Sequence, residues 1–171
     1  HTLKEFIMEN KVEKMDRAIQ MSSRKNLLEK YSPHNCLIDN SQVKTVEQAL
    51  SSKAPSVGSF QSKQGRQFTE GLVTVWLMYL NKELNLNKPM TESQLNFCSI
   101  YIVEEYYYFK TSELTLLFKK IISGQYGEFY ESLSPAKVLT CFKEYSKERF
   151  NLAEDNSQRN HSEEIYKSKN I

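Results

Sequence analysis

Cysteine is sparse in this sequence: Cys36, Cys98 and Cys141 are the only three, far apart, with no CxxC pair. Both a disulfide framework and a structural zinc site are thereby poorly supported, and a reducing interior is the simpler expectation. His34 and Cys36 stand two apart on a turn like half of a metal site, yet no second pair lies near them, so no metal is expected. Long hydrophobic runs are missing too. No stretch of 18 apolar residues occurs, which argues against a membrane span. The charge is almost balanced, 23 basic against 21 acidic residues for a formal +2, so no global field draws the chain to a polyanion. There is no phosphate-binding loop, since Gly124-Gln-Tyr-Gly127 lacks the GK[ST] ending and follows a helical pattern. Glu104 and Glu105 are adjacent, so on a helix they point about 100° apart and make no facing acid–base pair. With no repeat, no nucleophile signature and no cofactor motif, an enzyme is not expected, and no cofactor is assigned.

What is present reads as helices. The 171 residues suit one domain, and 39% apolar content with 12% aromatics supports a core. A mean hydropathy of −0.60 adds the expectation of solvated extensions. The chain starts at His1 rather than Met, which suggests a trimmed product. Residues 2 to 31 read as a helix or helix pair, with Leu3, Phe6, Ile7, Val12, Met15, Ala18, Ile19, Leu27 and Leu28 mostly at three- and four-residue steps. Thr2 with Glu5 forms a capping-box pattern at its start. Ser32-Pro-His-Asn35 is turn chemistry, a short helix is expected near 43–50, and the serine-rich 51–66 reads as a long surface loop or linker.

From 67 the helical signals strengthen. Phe68, Leu72, Val75, Trp76, Tyr79, Leu80 and Leu84 form one stripe over 67–86. Trp76 reads as a core anchor, and Gly71 within the stripe implies a close helix crossing. Thr91 and Gln94 make a second capping box, with Met90 as staple against Leu95. The helix they open, predicted to run to Phe109, is apolar on nearly every side and is expected at the bundle centre. Two short strands through Ile100–Phe109 are the alternative raised by its β-branched and aromatic content. Thr111 or Ser112 is expected to cap a helix over 112–123 that Gly124 stops as a left-handed residue. Ser134 and Pro135 open a last core helix to 150, as N-cap and first helical residue. A polar tail follows over 151–171.

The expectation is therefore an all-α domain: an N-terminal helical segment (1–50), a linker (51–66), a core (67–150) and a polar tail (151–171), forming a compact bundle of about five helices. The surface that stands out is a mixture of rings and lysines around the 119–130 elbow, with Lys110, Lys119, Lys120, Tyr126 and Tyr130 as candidate contacts to a partner or nucleic acid. Residues 91–150 carry seven basic against eight acidic residues, which weakens a phosphate-tracking surface, whereas 44–88 carry six against three.

Met90-Thr91-x-x-Gln94, Tyr106 to Phe109, Glu113-Leu114 with Phe118, Gly124-Gln-Tyr-Gly127 with Tyr130, and Tyr145 with Arg149 make a pattern over residues 67–150. It resembles a family of small, uncharacterised helical proteins of gut bacteria, their phages and integrative elements. The resemblance implies a mobile-element setting inside a bacterial cytoplasm. The leading expectation is a non-enzymatic accessory protein that binds another protein, away from membranes. A replication-associated nucleic-acid binder is the alternative.

Overall fold

The computed structural model describes residues 2–169. Among these, the chain forms eight α-helices and no β-strand: α1 Leu3–Lys30, α2 Pro33–Asp39, α3 Val46–Ser51, α4 Val57–Gln64, α5 Arg66–Leu84, α6 Glu92–Glu105, α7 Thr111–Ile122 and α8 Pro135–Lys169. The all-α reading holds, with eight helices where about five were expected. The short helix expected near 43–50 is α3, while α2 and α4 lie in segments read as a turn and a loop; all three are short and start at serine or threonine N-caps. Ser32, Thr45 and Ser56 each accept from the amide three residues on, at 3.4, 3.2 and 3.2 Å.

The 51–66 segment is thus not a loop throughout. Ser56 starts α4, whose Val57 and Phe60 are buried. Its first turn is tied to the turn between α6 and α7: the Val57 amide donates to the Phe109 carbonyl at 2.8 Å and the Gly58 amide to the Tyr107 carbonyl at 2.6 Å. A Cβ on Gly58 would lie 3.2 Å from that Tyr107 oxygen, so glycine permits the approach.

Helix α7 is the centre. Every residue from Thr111 to Phe118 is buried, and α2, α3, α5 and α8 all pack against it. The expectation that the 91–109 helix would hold this place is corrected. Helix α6 stops at Glu105, and its Phe97 and Tyr101 face solvent while Cys98, Ser99, Ile102 and Val103 are buried. Counting apolar residues misleads here because aromatic side chains are tolerated outside, whereas threonine, serine and one glutamate can be internal once their polar atoms are bonded. Residues 106–109 form a turn rather than a last helical turn or a strand. That turn lets Phe109 drop into a ring cluster with Phe142, parallel at 6.0 Å between centroids, and Tyr145, edge-on at 5.2 Å. Trp76, 1% exposed, continues the cluster edge-on to Phe118, and its indole donates to the Tyr31 carbonyl at 3.0 Å.

Local signals fare well where they rest on a stated hydrogen bond. Both capping boxes form, Thr2 with Glu5 and Thr91 with Gln94. Ser134 accepts from the Lys137 amide ahead of Pro135, and Gly124 adopts φ +78°. The cap of α7 differs: Lys110 holds the N-cap position and Thr111 lies inside, because the Glu113 carboxylate already takes the Lys110 amide at 2.8 Å. Gly71 sits at no crossing. It is exposed, and a Cβ there would meet nothing within 4 Å. The segment from 151 continues α8 as a solvated helix through Lys169; residues 170–171 lie outside the described residues.

Candidate functional site

The lysines and rings singled out around the elbow lead inward. Lys110 donates its ammonium to the carbonyls of Leu50 and Ser52, at 2.6 and 2.7 Å, so it closes the end of α3. Lys119 reaches the carbonyls of Asn40, the C-cap of α2, and of Val43 in the connection to α3, at 3.3 and 3.5 Å. Both place a cation near the C-terminal, carbonyl end of a short helix, where the helix dipole favours it. Burial, reinforced by the neighbouring Lys44, lowers the Lys119 pKa from its usual value. Lys120 pairs with Glu148 of α8, and Tyr126 donates to the same carboxylate at 2.9 Å. Burial first, and that hydrogen bond second, push the Tyr126 phenol upward. Tyr130 alone of the five is an outward ring, 75% exposed, with its hydroxyl on Glu128. The structure therefore joins Lys120 and Tyr126 through Glu148 but brings the five to no common surface.

The most organised polar cluster lies underneath. Glu113 on α7 is fully buried. It accepts from Arg149 Nε at 2.8 Å, the Tyr145 hydroxyl at 3.3 Å and the Lys110 amide. The Arg149 guanidinium also lies over the Tyr108 ring, 4.9 Å from its centroid. Burial, with Glu113 beside it, raises the Tyr145 phenol. Sequence reasoning overlooked this hub. Two signals mark it: an acid inside an otherwise buried helix, and Tyr145 and Arg149 four apart on one face of α8. With each acceptor atom engaged inside the protein, the cluster ties α7, α8 and the 106–110 turn together.

The three cysteines are unpaired and buried, and burial pushes Cys36 and Cys98 up to about 12 and Cys141 to about 11. Such thiols carry almost no thiolate near neutrality. Among the described residues, no cluster of His, Cys, Asp or Glu has the arrangement of a metal site. A groove of about 1000 Å³ runs between α5 and the start of α6, but Glu92 is the single titratable side chain in its lining.

The exposed apolar surface lies elsewhere, on α1. This helix buries no residue and meets the body near its C-terminal end, where Leu28 and Tyr31 pack against the core. At 1.5 Å per residue, the stretch from 3 to 23 projects roughly 32 Å. Leu3, Phe6, Ile7, Met8, Val12, Met15, Ile19 and Met21 are each more than half exposed along it. No helix among the described residues is long and apolar enough to cross a membrane.

Residues 89–167, from the loop before α6 to near the end of α8, match a protein-family model described as "Family of unknown function (DUF6633)". The match covers the central helix, the Glu113 hub and most of α8, and leaves α1 through α5 outside it. No curated protein and no solved structure matches the chain.

Proposed function

We propose that this protein is a non-enzymatic accessory protein of a phage or mobile element, working in the cytoplasm of a bacterial host by binding another protein through α1. The observation that carries the reading is the projecting helix with eight large apolar side chains in solvent. Four of them, Met8, Val12, Met15 and Ile19, share one face of the helix, and monomeric proteins seldom leave such an apolar row uncovered unless it is an interaction site. A non-enzymatic role is supported by thiols held protonated and by a buried carboxylate whose oxygens are already bonded. A protein partner is favoured over nucleic acid because Lys110, Lys119 and Lys120 are engaged within the chain. The phage or mobile-element setting rests on the pattern described over residues 67–150.

The test is capture from host lysate with the full chain and with a Val12→Asp, Met15→Asp variant. The variant is expected to melt at the parental temperature, since neither residue is buried, and to lose the captured protein. Recovery of the same protein by both would remove α1 from the account.

A further inference from the structure

We infer that the partner of α1 is a second copy of this chain, joined through a parallel, in-register two-stranded coiled coil. The inference rests on the reading of α1 as an interaction arm and names what it binds.

Met8, Val12, Met15 and Ile19 follow one another at steps of four, three and four. That is the d-a-d-a rhythm of a coiled-coil seam. All four are more than half exposed, so this four-residue seam is uncovered in each chain. The rhythm continues toward the body through exposed Ser22 at d and Asn26 at a. Glu5 takes the a position at the far end, ahead of the four apolar layers, and an asparagine at an a position favours a two-stranded, fixed register. Leu3, Phe6, Ile7 and Met21 lie off the seam.

Charge selects both the occupant and its direction. On this register the e positions are Glu9, Asp16, Ser23 and Lys30, and the g positions are Lys4, Lys11, Ala18 and Lys25, all exposed. In a parallel in-register pair, a g residue faces the e residue five positions further along the other helix. Lys4 then meets Glu9 of the second copy and Lys11 meets Asp16, and two-fold symmetry makes each pair twice; Lys25 would face Lys30 at the body end, so the complementary pairing and the coiled coil belong to the outer part of the arm. An antiparallel pair would set lysine against lysine along one flank and carboxylate against carboxylate along the other. The outer part of the arm, from Lys4 to Asp16, is thus complementary to its own copy in one orientation. Glu13 and Arg17, at b and f, pair within the helix at 4.0 Å on the face away from the seam. The acidic e flank also disfavours an anionic membrane as the occupant.

A seam of four apolar layers is short, so association is expected to be weak and concentration-dependent. Sedimentation equilibrium of the full chain from about 10 to 500 µM at low salt should show monomer passing to dimer. Lys4→Glu with Lys11→Glu makes both flanks acidic, and Glu9→Lys with Asp16→Lys makes both basic. Each variant alone should dimerise at least about tenfold more weakly, and an equimolar mixture should recover a one-to-one heterodimer. Ser22→Cys supplies the orientation: the parallel pair should form a 22–22 disulfide on mild oxidation, with Cys36, Cys98 and Cys141 too buried to interfere. An antiparallel pair would hold the two new thiols at opposite ends.

A chain that stays monomeric over this range and forms no 22–22 disulfide overturns the inference. So does a dimer indifferent to the charge exchanges, or a monomer that floats with anionic vesicles. If the chain is monomeric while Val12→Asp, Met15→Asp still abolishes capture of another protein, only the self-association falls. If capture is also unchanged, the role of α1 falls with it.

Discussion

Glu113 sits at the first turn of the most buried helix, and its carboxyl group is accommodated there because Arg149 and Tyr145 of α8 converge on it with the Lys110 amide. Removing one partner of a buried charge pair leaves the other uncompensated, which costs far more than the intact pair contributes. Glu113→Gln keeps the shape and should lower unfolding free energy by on the order of 3 kcal/mol. Arg149→Met in the same chain should recover part of that loss. Chemical denaturation of the two single variants and the double variant gives the coupling directly, and strictly additive losses would refute the hub. The glycines divide by the same local logic. Gly124 needs φ +78° to end α7, so Gly124→Val should cost more than about 1 kcal/mol. Gly71 is mid-helix, exposed and surrounded by open space, so Gly71→Ala should stabilise the protein by about 0.5–1 kcal/mol. Thermal melts of the pair should shift in opposite directions.

At the scale of helices, what the sequence made legible is whatever a few neighbouring residues decide. The two capping boxes, the Ser134-Pro135 start and the Gly124 stop are local hydrogen bonds or torsions, and all four stand in the structure. What stayed hidden depends on partners far along the chain. Nothing near Thr111–Phe118 announces that four helices will close around it. Its polar members become internal only because Ala49 accepts from Ser112 at 2.8 Å and Asn40 donates to Thr115 at 3.1 Å. The same holds at the elbow, where lysines that read as a surface are drawn to the carbonyl ends of α2 and α3. The projecting α1 was legible as a helix, but its exposure was not, since an amphipathic pattern does not state whether a core awaits it. Because α1 buries no residue, deleting residues 2–23 while keeping Leu27, Leu28 and Tyr31 should leave the melting temperature within about 2–4 °C of the parent. A larger fall would mean that α1 belongs to the body.

The molecule as a whole has a closed body that contains all three thiols and the hub phenol, with α1 and the far half of α8 extending from it. That arrangement sets its response to alkali. Burial raises Cys36 and Cys98 to about 12 and Cys141 to about 11, from an ordinary 9.0, and also raises Tyr145. A group whose folded pKa exceeds its unfolded value holds its proton longer in the native state. Its contribution is fully present below the unfolded value and is lost as pH rises through the folded one. Stability should therefore be level with respect to these groups from pH 6 to 8 and decline above 9. Each thiol accounts for roughly 1 kcal/mol by pH 10 and more beyond it. Lys119, whose pKa is lowered, works in the opposite sense and softens the decline. Urea unfolding at pH 7, 9 and 10 measures the slope. Cys98→Ala separates the cause: it lowers stability at pH 7 through the cavity it leaves, yet it should lose less between pH 7 and 10 than the parent does. Equal unfolding free energies at pH 7 and 10 in the parent would mean that the thiols gain no proton affinity on folding, and that the body is more open to water than the packing around α7 requires.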